Sequence, residues 1–174
     1  MSVRKYSFAL VLAFLGAATA AQAADKPTDP QIAHIAYTAG TIDVAAAKQA
    51  IAKSRNKVVV SFAKDMLRDH QAVNKQALDL VAKLKVKPED NATSRALSDA
   101  AGKTKASLAK LRGKAFDKAY VANEIAFHQQ VNGALQTLLI PSASNPELKG
   151  LLETGLKIFQ GHEQHAVHVA AELQ

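Results

Sequence analysis

The sequence predicts an all-α fold: an antiparallel four-helix bundle with one additional helix, following a cleaved signal peptide. Three observations predict it. Apolar residues recur in steps of three and four through most of the chain, the spacing of a single helix face. Ala, Leu, Lys and Gln are abundant, there is no Trp, and aromatic residues make up 5% of the chain, a helix-forming composition. Short polar connections separate long periodic segments, which makes neighbouring helices antiparallel.

The N-terminus sets the expected compartment. Arg4 and Lys5 precede a short apolar run, Phe8 to Leu15, and Ala21-Gln22-Ala23 has the small residues of a cleavage signal. This is the pattern of a Sec-type signal peptide over residues 1–23, cleaved after Ala23, and it implies a periplasmic or secreted protein. The apolar run is shorter than the ~20 residues of a membrane-spanning helix. No Cys follows the cleavage signal, so no lipid attachment is expected there.

Residues 24–31 read as a polar leader, with Pro27 and Pro30 marking a loop and then a helix start. The remainder, 32–174, reads as one domain. Its first helix runs from Ile32 to about Lys53 on a face of Ile32, Ala36, Ala39, Asp43, Ala46 and Ala50, and Ser54-Arg55-Asn56 breaks it. The second, roughly 56–84, has the clearest period: Val59, Ala63, Met66, His70, Val73, Ala77, Leu80 and Leu84 alternate as a seam. Lys87 to Asn91 ends that helix and caps the next. The third, about 92–111, is more polar and is expected to pack beside the bundle. Gly113 breaks the chain before a fourth helix, roughly 114–139, through Asp117, Tyr120, Glu124, His128, Val131, Leu135 and Leu138. After the Pro141–Pro146 loop, the last helix runs to about 173 through Leu148, Leu152, Gly155, Phe159, His162, Ala166 and Val169.

Composition narrows the function. Without Arg4 and Lys5 the chain keeps 20 Lys and Arg against 15 Asp and Glu, a formal charge of +5. The lysines are spread singly along helices, with no arginine cluster or basic stripe among aromatics, so they form a solvated surface and not a nucleic-acid site. With no cysteine, stability must come from packing or a ligand. No membrane-spanning segment is expected after the signal peptide. The Ala-rich surfaces are compatible with a homo-oligomer, but no single stripe argues for one, and no protein partner is specified.

The chemistry lies in the polar residues of the apolar stripes. Asp43, His70, Glu124, His128 and His162 each sit near the middle of a helix, so in an antiparallel bundle they share one height. Glu124 and His128, four apart, can reach one ligand, and Asp117 and Tyr120 lie on the same side of that helix. His162 and His165, three apart, permit another shared ligand, whereas His168 points outward. Asp69 is placed to orient a partner side chain rather than to join the layer, and His34 reads as a flank residue. His70, Glu124, His128 and His162 are therefore the candidate metal ligands. Asp43, Asp117, Tyr120 and His165 are candidates to support them.

Imidazole and carboxylate without thiolate suit a divalent Zn, Fe, Mn or Cu ion, so the layer reads as a site for such a metal or for a small polar ligand. The paired Glu-x-x-His motifs of a di-iron bundle are absent, which disfavours that chemistry. Two other readings stand beside metal binding. The layer is a satisfied hydrogen-bond network that only fixes packing in an envelope structural or interaction protein. Alternatively, Tyr120, Glu124 and His128 serve an enzyme as acid and base; no nucleophile motif, phosphate loop or cofactor fingerprint supports this.

Phe62-Ala-x-x-Met-x-x-Asp-His70, Leu111-x-Gly113-x-x-Phe116-Asp117-x-x-Tyr120, His128 and the late His162 resemble a widespread bacterial family of exported helical domains of unknown function. Its members are often labelled as outer membrane proteins. The resemblance covers nearly the whole chain after the signal peptide and implies a ferritin-like bundle and a periplasmic location. It implies no activity, because the family has none established. The label itself conflicts with the absence of alternating amphipathic strands and of a lipid-attachment Cys.

Overall fold

In a computed structural model, residues 26–174 are described. The expected signal peptide, its cleavage point and the first residues of the leader lie outside the described residues. The chain forms α1 (Asp29–Lys53), α2 (Lys57–Lys83), α3 (Ala92–Lys110), α4 (Gly113–Ala134) and α5 (Pro146–Glu172), with no strand among the described residues. None of the helices described is long and apolar enough to cross a membrane.

Asparagines start three of these helices. Asn56 Oδ1 accepts from the Val58 and Val59 amides at 2.9 and 3.4 Å. Asn91 Oδ1 accepts from Ser94 N at 3.0 Å, and Asn145 Oδ1 from Glu147 N and Leu148 N at 2.9 and 3.1 Å. Each cap satisfies donors that the first turn leaves open, worth about 1 kcal/mol apiece. α1 begins at Asp29, three residues earlier than its apolar face suggests, because Pro30 is tolerated in a first turn where no amide is needed. The leader is correspondingly shorter. Gly113, at φ +54°, takes the left-handed turn between α3 and α4 that a side chain would strain.

Contacts at the helix ends fix the directions. Glu89 N donates to Pro30 O at 3.0 Å and Asn91 Nδ2 to Gln31 O at 3.3 Å, joining the starts of α1 and α3. Lys53 Nζ donates to Ala109 O at 2.8 Å, joining their ends. α3 therefore runs parallel to α1 over the full height of the bundle. The order is up, down, a long return, down, up, so α2 and α4 run the same way on opposite corners. Asp29 closes the lower end, accepting from the Ser144 and Asn145 amides at 2.8 and 2.9 Å.

The fourth helix is not one regular α-helix to residue 139. Leu135–Leu139 widen into a π-helical turn, in which Ile140 N donates to Leu135 O. Two local causes act there: Pro141 has no amide to continue the α ladder, and Thr137 Oγ1 bonds back to Gly133 O at 2.7 Å.

The interior has two apolar halves. The upper one gathers Ala47, Ala50, Val59, Phe62, Phe116, Tyr120, Val121 and Val169. The lower one gathers Ile32, Ile35, Leu135, Leu139, Leu148, Leu152 and Phe159. Between them lies the polar layer.

Candidate metal centre

Each helix of the four-membered bundle sends one or two polar groups to mid-height. Asp43 comes from α1, His70 from α2, Glu124 and His128 from α4, and His162 from α5. All five are buried, with 1–7% of their surface exposed. Their positions follow from the sequence: each replaces an apolar residue in a seam that the surrounding Ile, Leu, Val and Phe force inward. Leaving them unsatisfied there costs several kcal/mol.

Two overlapping sets of three residues bring one donor atom each to within 4.8 Å of one another. One is His70, His128 and His162; the other is Asp43, Glu124 and His128. His128 belongs to both. Its Nδ1 lies 2.9 Å from the Glu124 carbonyl, which can only accept, so Nδ1 carries the proton and Nε2 presents a lone pair. That Nε2 stands 3.4 Å from His70 Nε2, which is itself 3.6 Å from Asp43 Oδ2. Two imidazole nitrogens on one tetrahedral zinc-like ion, at about 2.0–2.1 Å each, would be about 3.3–3.4 Å apart.

His162 is aimed from behind. Its Nε2 donates to Asp69 Oδ2 at 3.1 Å, leaving Nδ1 buried and without a partner. Asp69 is in turn held by Arg68, through Nε at 2.7 Å and Nη2 at 3.1 Å. A carboxylate behind an imidazole fixes its tautomer and raises its basicity toward a cation. Phe159 closes the layer from below, its ring stacked on that of His70 at 4.6 Å and 9°.

Burial governs the protonation states. Desolvation pushes His70 down to about 2, helped by the neighbouring His128 and His162. It pushes His128 down to about 4, and His162 also goes down. All three imidazoles are neutral near pH 7 and so able to ligate. Burial raises Glu124 to about 8 and lifts Asp43 well above the usual carboxylate range, the charge of Glu124 adding to the latter. The two carboxyls influence each other at short range, yet neither Glu124 oxygen has a hydrogen-bond partner of good geometry. His70 Nδ1, Asp117 Oδ1 and Tyr120 OH are likewise buried and unpartnered. Four of these unpartnered atoms, both Glu124 oxygens, His70 Nδ1 and His162 Nδ1, lie in the polar layer itself. These residues could hold a metal ion.

Tyr120 and Asp117 are buried about two and three turns above His128 and belong to neither donor set. Burial, with the charges of Glu124 and Asp43 adding to it, pushes the pKa of the Tyr120 hydroxyl well above its ordinary value. His165, expected as a supporting residue, is exposed and packs edge-on against Phe62 at 5.1 Å, outside both sets. Three residues on a helix turn the side chain 60° away, enough to take it out of the core. His168 is exposed and pairs with Glu172 at 3.2 Å, and His34 flanks Asp90 at 4.0 Å. The sequence reading missed Arg68 and Phe159. The latter, three before His162 on one seam, was legible as a neighbour of the layer.

No curated protein and no solved structure matches the chain. One family model does, over residues 15–169, nearly the whole length. The chain belongs to that family, described as Domain of unknown function (DUF4142).

Proposed function

We propose that this is an exported, periplasmic helical-bundle protein that binds one divalent transition-metal ion at mid-bundle. His70 and His128 ligate through Nε2 and His162 through Nδ1, and the Asp43–Glu124 pair supplies the anionic oxygen. The observation that carries this is the convergence of three neutral imidazoles, one backed by Asp69, beside Asp43 and a Glu124 whose two oxygens are unpartnered. The donor set is nitrogen and oxygen without sulfur, which suits Zn, Fe(II), Mn or Cu(II). The order of helices, with one long return, is that of ferritin-like bundles, where inward-facing side chains build metal sites. The export reading rests on Arg4, Lys5, the Phe8–Leu15 run and Ala21-Gln22-Ala23.

The test is elemental analysis of protein purified without a metal-binding tag, with thermal melts in the presence of each ion. A near-stoichiometric metal, and a melting temperature raised by that ion, are expected. His70→Ala and His128→Ala should lose both effects, and His168→Ala should keep them. Intact binding in the first two variants would sink the proposal. No metal and no thermal shift in the unmutated protein would leave the layer as a packing device of an envelope protein.

A further inference from the structure

Directly below the polar layer, the lower apolar half does not close. A cavity of about 120 Å³ lies among α1, α2, the π-helical turn and α5, with Phe159 as its roof. Among the described residues no charged side chain lines it, and Asn74, Thr93 and Gln130 are the only polar side chains in the wall. Two irregularities face this space. Gly155 is buried in the interior of α5, where a glycine weakens a helix, and a Cβ there would meet nothing but the Phe159 ring, at 3.4 Å. The π-helical turn, a feature often found at functional sites, brings Leu135 and Leu139 to the opposite wall. A wider groove of about 740 Å³ beneath α3 shares Thr93, Leu97 and Gln130 with the cavity wall.

We propose that this cavity is a binding site for a small uncharged apolar molecule, of about the size of benzene. The lining sets the chemical class, because a charged or strongly polar ligand would lose its hydration without replacement. The volume sets the size: an apolar cavity of about 150 Å³ in another protein stays dry and takes up benzene or xenon. The ligand rests against Phe159, one ring away from His70. This site is independent of the metal, and its test uses metal-free protein.

The experiment is a benzene titration followed by methyl NMR. Saturable shifts are expected at Leu135, Leu139 and Leu152, with the surface methyls of Val167 unmoved. Gly155→Leu, which fills the cavity, should weaken binding at least tenfold. Ala126→Leu, in the groove wall outside the cavity, should leave it unchanged. If Gly155→Leu does not fold, Gly155→Ala should still weaken binding about threefold. Shifts that never saturate or that spread over surface methyls would overturn the proposal. So would benzene affinity unaffected by substitution at Gly155.

Discussion

The upper and lower halves of the bundle are built from the same four helices and pack differently. Above the polar layer Ala47, Ala50, Val59, Phe62, Phe116 and Val121 are all 0% exposed, with small alanines set against aromatic rings. Below it Leu135, Leu139, Leu148, Leu152 and Phe159 keep 3–9% exposure around an open cavity. The upper half is a close-packed frame beneath which Glu124, His128 and His162 share one height. The lower half trades packing for space. The polar layer therefore has a closed core above it and, beneath the Phe159 ring, a cavity.

The largest expected effect is in the frame. Phe62→Ala should cost about 3–5 kcal/mol in chemical denaturation, since it removes a fully buried ring from a close-packed site. Leu139→Ala, beside space that already exists, should cost about 2 kcal/mol, the low end for such a truncation. Equal losses, or the reverse order, would erase the distinction between the halves.

The layer between them should set the pH response of the metal-free protein. His70 and His128 hold their protons only below about 2 and about 4 in the fold, against 6.5 as the ordinary value. As pH falls below 6.5 the unfolded chain takes up protons first, so stability falls toward pH 4. Glu124 acts in the opposite sense. The fold keeps its proton up to about 8, against 4.5 ordinarily, so the stability it contributes is present below pH 4.5 and lost as pH rises through 8. Denaturation across pH should show a maximum at about pH 6, and Glu124→Gln should flatten the alkaline side. A curve that is level from pH 5 to 8 would contradict the burial of this layer.

The smallest expected effects are at the ends and the rim. Asn56→Ala at the top and Asn145→Ala at the bottom should each cost about 1 kcal/mol, read from denaturation midpoints. Arg68→Ala, an exposed partner of Asp69, should change stability by less than about 0.5 kcal/mol.

Much of this was legible in the sequence because helical period and helix midpoints are both local quantities. Asp43, His70, Glu124, His128 and His162 could be placed at one height without knowing any contact. The break at Ser54-Arg55-Asn56, the cap within Lys87 to Asn91 and the break at Gly113 were equally local. What the period could not supply is how well a seam is covered. Val73, Ala77, Leu80 and Leu84 continue the seam of α2 in perfect step, yet they are only half-buried, Val73 and Ala77 because they face the cavity. The direction of α3 depends on contacts between residues some 60 positions apart. The π-helical turn depends on Pro141 and Thr137 acting together on a stretch whose apolar pattern is ordinary.

The most direct test of the metal centre is imidazole nitrogen NMR of the protein, recorded metal-free and after one equivalent of zinc. Without metal, His70, His128 and His162 should be neutral at pH 7, with the proton of His128 on Nδ1. On adding zinc, Nε2 of His70 and His128 and Nδ1 of His162 should shift together at one-to-one stoichiometry, while His34, His165 and His168 stay put. Zinc that moves only the exposed histidines, or moves none, would contradict a metal centre at mid-bundle.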